Sequence, residues 1–81
     1  MAHVIACSDC LAFTGGVAQF DVSADNVRRL ILEIDARYPG LGDFVDRKMA
    51  IAIDGEIHRN AYSARLAPDS EVYLIPKIGG G

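Results

Sequence analysis

Glu71-Val72-Tyr73-Leu74-Ile75-Pro76-Lys77-Ile78-Gly79-Gly80-Gly81 closes the 81-residue sequence. The apolar run from Val72 to Ile75 reads as a strand at the centre of a sheet. Pro76 has no N–H to donate and ends it. Past Lys77 and Ile78 come three of the chain's eight glycines. Glycine has no side chain to bury and the largest backbone entropy, so three in a row add nothing to a core. Fully extended, the strip from Pro76 to Gly81 reaches roughly 20 Å, at about 3.3 Å per residue. Such a strip can thread a channel that any Cβ would block, and it presents a carboxylate far from the domain body. A frayed terminus or a remnant of cloning is the plainer account of the same residues.

Working outward, Ala67-Pro68-Asp69-Ser70 is a turn leading into that strand. Before it, Asp54-Gly55 separates Ala50-Ile51-Ala52-Ile53 from Glu56-Ile57-His58-Arg59. Asp-Gly between two strand-like runs signals a hairpin, because a type I′ turn needs positive φ at both positions. Leu41 to Met49 is mixed, with Leu41, Phe44, Val45 and Met49 free to pack. Further back, Val27, Leu30, Ile31, Ile34 and Tyr38 fall at i, i+3, i+4, i+7 and i+11. That is one face of an amphipathic helix of about four turns. Ser23 offers its N-cap and Pro39-Gly40 its end. At the N-terminus, Val4–Cys7 and Val17–Val22 read as a hairpin, with Leu11–Thr14 continuing the apolar pattern up to a turn at Gly15-Gly16. The predicted order is β-β-α-β-β-β: one α+β domain, a mixed sheet of four to five strands covered by one main helix.

Composition narrows the function. Hydrophobic residues are 51% and the net charge is −3, which argues against disorder. A chain this short has no room for a cofactor domain beside a substrate domain, and no cofactor is expected. Its 8 basic residues are scattered, with only Arg28-Arg29 and Arg47-Lys48 adjacent, so no nucleic-acid stripe is present. No run of about 18 apolar residues offers a membrane span, and the N-terminus lacks a signal-peptide pattern. A cytoplasmic protein is the expectation.

Cys7 and Cys10 form one C-x-x-C. Half of a metal site or a redox pair are the chemical readings. Tetrahedral zinc wants four ligands, and neither a second C-x-x-C nor a finger spacing to His3 and His58 completes them. A lasting disulfide is disfavoured in the cytosol. The plainer reading is two small thiols, partly buried where a strand ends and a loop begins, with no metal bound.

Taken together, these stretches resemble the ubiquitin-like sulfur carriers of β-grasp fold: the small subunit of molybdopterin synthase and the thiamine-pathway carrier. Ile75-Pro76-Lys77-Ile78-Gly79-Gly80-Gly81 looks like the family's closing pattern of apolar, Pro, any residue, apolar, small, Gly, Gly. Leu66-Ala67-Pro68-Asp69-Ser70-Glu71-Val72 looks like its approach to the last strand. Ala36-Arg37-Tyr38-Pro39-Gly40-Leu41 and Ile51-Ala52-Ile53-Asp54-Gly55-Glu56 match in type and position. The likeness spans essentially the whole chain. Two departures are Gly79, where the family often has Ser, Thr or Ala, and Cys7-Ser8-Asp9-Cys10, where molybdenum-pathway members often carry an Arg-bearing turn or short helix.

The resemblance implies a β-grasp domain over residues 1–76 and a flexible glycine tail over 77–81. It implies that Gly81 is the reacting residue, with Gly79 and Gly80 giving passage through a channel. The Gly81 carboxylate would be adenylated with ATP on an activating enzyme, then converted to a thiocarboxylate that gives sulfur to a synthase or large subunit. The chain would be a protein cosubstrate and not an enzyme, serving molybdopterin biosynthesis first. Carriers for thiamine, cysteine or a specialised metabolite, and a ubiquitin-like protein modifier, are the alternatives. Because Val72 and Leu74 alternate with Tyr73 and Ile75, the second pair should lie on the open sheet face as a docking patch, with Phe13 nearby. Arg59 and Lys77 are candidate rim charges.

Overall fold

The computed structural model describes residues 1–58 and 62–77. Gly79, Gly80, Gly81 and the candidate rim residue Arg59 lie outside the described residues. Five strands form one sheet: β1 (Ala2–Ile5), β2 (Gln19–Val22), β3 (Met49–Ile53), β4 (Glu56–His58) and β5 (Glu71–Pro76). Their spatial order is β2-β1-β5-β3-β4, so β5 is central as its apolar run predicts. β5 runs parallel to β1 and antiparallel to β3; the two outer pairings are antiparallel.

Helices α2 (Val27–Arg37) and α3 (Leu41–Lys48) pack on one face of this sheet. Val4, Val22, Leu30, Ile34, Leu41, Val45, Val72 and Leu74, each at most 1% exposed, form the centre of the core between them. A short helix, α1 (Leu11–Thr14), follows a 3-10 turn at Ser8–Cys10. The expected hairpin of the first two strands is present, but Leu11–Thr14 within its connection is helical and not extended. Thr14 explains part of this: its hydroxyl bonds the carbonyls of Leu11 and Val17, and Gly15 closes the turn at φ 67°.

Two other expectations are corrected. Helix α2 starts at Val27, capped by Asn26, not Ser23; the Asn26 Oδ1 accepts the Arg29 N–H at 2.8 Å. Asn26 is bridged to Arg65, and the Val27 N–H bonds the Ala64 carbonyl at 3.0 Å. The backbone is therefore committed to extended pairing until residue 26, which forbids an earlier start. Tyr38 ends α2 in an extended conformation ahead of Pro39, as a residue before proline prefers. Its ring meets Phe20 edge-on at 5.2 Å. Leu41–Lys48 is a second helix and not a mixed segment. Gly40, at φ 93°, turns the chain, and the Asp35 carboxylate of α2 accepts the N–H groups of Gly40 and Gly42, each at 3.1 Å. A side chain from the neighbouring helix thus satisfies the first orphan donors of α3.

The Asp54-Gly55 turn has φ 48° and 91°, the two positive values its sequence predicts. Asp54 also ties the hairpin to β5: its carboxylate accepts the Glu71 N–H at 2.9 Å, and its own N–H bonds the Glu71 carbonyl.

Candidate functional site

The face of the sheet turned away from α2 and α3 is built by strand alternation. On β5, Val72 and Leu74 are core, while Tyr73 is 40% exposed and Ile75 half-buried. Register then decides what stands beside them. Tyr73 pairs with Ile5 on β1 and with Ala52 on β3; Ile5 pairs with Gln19, and Ala52 with Ile57. Ile5, Tyr73, Ala52 and Ile57 therefore make one transverse apolar row across four strands. Ile57 is 60% exposed, an unusual position for a large aliphatic side chain. Ile75, opposite Ala50, extends the row one step toward the start of the tail.

A polar row flanks it on the other side, running Asp21, His3, Glu71 by register. Nδ1 of His3 lies 2.9 Å from the Asp21 carboxylate and Nε2 lies 2.9 Å from Oε1 of Gln19. Both ring nitrogens face acceptors, which the doubly protonated imidazolium satisfies best. Its pKa is accordingly raised, first by the bond to Asp21 and then by that to Gln19.

β5 delivers the chain from this face to the tail. Pairing continues one residue past Pro76, with the Lys77 N–H bonding the Lys48 carbonyl at 3.3 Å. The Lys77 ammonium lies 3.3 Å from the Asp46 carbonyl and 3.4 Å from that of Arg47, at the end of α3. A cation there meets the orphan carbonyls of a helix C-terminus. Asp46 is itself fixed, its carboxylate accepting the Tyr62 hydroxyl, which raises the Tyr62 pKa.

The structure thus brings Tyr73 and Ile75 together on the open face. It seats Lys77 at the base of the tail, where it anchors α3. Phe13 stands apart from that pair: its ring stacks on Phe44 of α3 at 5.1 Å and approaches Gly40. Ile5, Ala52 and Ile57 were missed. Ile57 carried a signal, a lone apolar residue between Glu56 and His58 after the turn. Ile5 carried none, since the parallel β1–β5 register is not written in either strand. Among the described residues no three His, Cys, Asp or Glu side chains cluster as metal ligands, and no helix is long and apolar enough to cross a membrane.

The ThiS family model matches residues 11–81, from α1 through the glycine tail. The chain belongs to the ThiS family. Its fold is shared with CysO in the BexX/CysO complex of Amycolatopsis orientalis, at a TM-score of 0.86, 17% identity and 100% of both chains. Small archaeal modifier protein 1 of Methanosarcina acetivorans matches at 0.79 and 19% identity, over 99% of this chain and 95% of that one. A Pyrococcus furiosus protein described as a molybdopterin converting factor subunit matches at 0.76 and 20% identity, over 95% and 97%. Identities this low show the common β-grasp fold and no more. No curated protein matches the chain by sequence. The resemblance of its closing stretch to the ubiquitin-like sulfur carrier family is thereby borne out.

Proposed function

We propose that this chain is a sulfur carrier that works through its last residue, Gly81. The observation that carries the reading is the family match running to the end of Ile78-Gly79-Gly80-Gly81, directly after a strand anchored at the sheet centre. A carboxylate is a poor electrophile. Attack of the Gly81 carboxylate on the α-phosphate of ATP, with loss of pyrophosphate, gives an acyl-adenylate that is a good one. Sulfur from a persulfide then displaces AMP, and reduction of the remaining S–S bond by a thiol leaves a thiocarboxylate. This group is ionised at neutral pH and is a soft nucleophile that an acceptor enzyme can use. Gly79 and Gly80 pass through the activating enzyme's channel because they have no Cβ.

The carrier contributes recognition. The row Ile5–Tyr73–Ala52–Ile57, with Ile75, is a contiguous apolar patch with polar residues at its edge, the character of a protein-docking surface. We assign it to the adenylating enzyme. Phe13 and Lys77 sit outside this patch and act by holding α1 and the tail base to α3.

The closing motif favours an acceptor of the molybdopterin-synthase kind. The likeness to a CysO and to an archaeal modifier brings a cysteine-pathway acceptor and lysine conjugation into the same test. The purified chain is incubated with an adenylating enzyme, ATP and a sulfur donor, and its intact mass is measured. A carrier gains the mass of one sulfur less one oxygen, and this gain disappears when Gly80 and Gly81 are deleted. A ladder of heavier, isopeptide-linked species instead makes it a modifier. Adding each candidate acceptor with its own substrate then shows which one consumes the thiocarboxylate.

A further inference from the structure

The chemistry proposed for the tail does not draw on the C-x-x-C segment, yet the fold arranges its two thiols unequally. Cys7 is the extended residue before the 3-10 turn, at φ −84° and ψ 174°, and is half-buried. Cys10 ends the turn and is fully buried in the core. The Cys10 N–H bonds the Cys7 carbonyl at 3.0 Å, closing the turn. Residues joined by such an i to i+3 bond have Cα atoms less than about 7 Å apart, and a disulfide spans about 4.4–6.8 Å. Both thiols are free, and the two residues between them, Ser8 and Asp9, are exposed.

We propose that Cys7 and Cys10 form a reversible thiol–disulfide site: Cys7 is the outer, attacking thiol, Cys10 the inner, resolving one, and the oxidant is a low-molecular-weight disulfide of the glutathione class. The Cys7 thiolate attacks one sulfur of the small disulfide, forming a mixed disulfide and releasing one small thiolate. Cys10 then loses its proton and attacks the Cys7 sulfur, and the second small thiolate leaves. The two cysteines are oxidised by two electrons, the small disulfide is reduced by two, and two protons pass to the released thiolates. Burial, with the Cys7 thiol as a secondary cause, pushes the Cys10 thiol up to about 12. Inner thiols are therefore protonated and unreactive toward solvent until a neighbouring mixed disulfide places an electrophile beside them. A transient disulfide of this kind is the sort a reducing compartment tolerates.

This site lies beside the origin of the tail. β1 ends at Ile5, which is paired in parallel with Tyr73, so the Cys7–Cys10 turn leaves the same end of the sheet as Pro76 and Lys77. From the turn, α1 carries Phe13 onto Phe44 of α3, the helix whose last carbonyls hold Lys77. Oxidation would therefore set the rigidity of a segment that buttresses the tail base.

The folded full-length chain is treated with excess glutathione disulfide, quenched with iodoacetamide and weighed intact. The expected product has lost two hydrogens, carries neither label nor glutathione, and regains two labelled thiols after dithiothreitol. Cys10→Ala stops at the glutathione adduct of Cys7. In Cys7→Ser the remaining thiol is labelled only after unfolding. A wild-type chain that stops at the mixed disulfide, or keeps its thiols reduced, overturns the proposal. The same measurement on a chain lacking Gly80 and Gly81 should be unchanged, so this result is independent of the sulfur-carrier reading.

Discussion

At the scale of single residues, Gly42 sets how closely α3 can lie on α2. A Cβ there would stand 2.5 Å from the Asp35 Cβ and 2.7 Å from the Ile31 carbonyl, distances that force something to move. The obstacle is partly backbone, so it yields poorly. Gly42→Ala should destabilise the fold by about 1–3 kcal/mol, read as a lower urea midpoint at unchanged slope. This role was illegible in the sequence: a glycine in the first turn of a helix looks like a loop residue, and only the neighbouring helix shows why it is there. His3 makes the second case. Its folded pKa is raised above the unfolded value near 6.5, so the protonated form is the one the fold prefers. The resulting stabilisation is complete below about pH 6.5 and fades as the pH rises through the folded value. Asp21 and Gln19 on β2 and Glu71 on β5 are the groups that hold it. His3→Gln should therefore lower the thermal midpoint, relative to wild type, more at about pH 5.5 than at about pH 8.5. An equal difference at both values would show that His3 does not titrate in this setting.

At the scale of elements, periodicity and turn chemistry carried most of the information. The 3.6-residue spacing of Val27, Leu30 and Ile34 named the helix, and Asp54-Gly55 named the β3–β4 hairpin and its turn type. Boundaries were another matter. Ser23 and Asn26 are equally good caps by residue type. The choice is made by pairing with Arg65 and Ala64, a distant stretch that no local rule consults. Helix α3 was hidden for a related reason: eight residues with one glycine give only Leu41 and Val45 as a buried stripe, too short a pattern to stand alone. Asn26→Ala removes the acceptor of the Arg29 N–H and should cost about 1 kcal/mol, whereas Ser23→Ala, on an exposed side chain outside the helix, should be near neutral. Chemical denaturation of the two variants side by side distinguishes the caps. Equal losses would place the helix start where the sequence first suggested.

At the scale of the whole molecule, two separate jobs fall on β5: its side chains build the open face and its backbone feeds the tail. The alternation that put Tyr73 and Ile75 on that face could be read from the strand itself, while the full row with Ile5 and Ile57 required the sheet order. Splitting the jobs tests the proposed function at its joint. If the patch docks the activating enzyme, truncating Tyr73 weakens encounter without touching the reacting carboxylate. A central aromatic in a docking patch commonly contributes about 2 kcal/mol. Tyr73→Ala should therefore raise the KM of the carrier in ATP–pyrophosphate exchange by about 30-fold, with kcat changed less than about twofold. Ile57→Ala, at the exposed end of the row, should raise KM less, and Leu32→Ala, exposed on the helical side, should leave it unchanged. Deleting Gly80 and Gly81 should abolish exchange while still allowing the truncated chain to compete with wild type for the enzyme, because the docking face is intact. Should Tyr73→Ala lower kcat and leave KM alone, the open face would be acting on the adenylation step itself, and docking would have to be sought on the α2–α3 side.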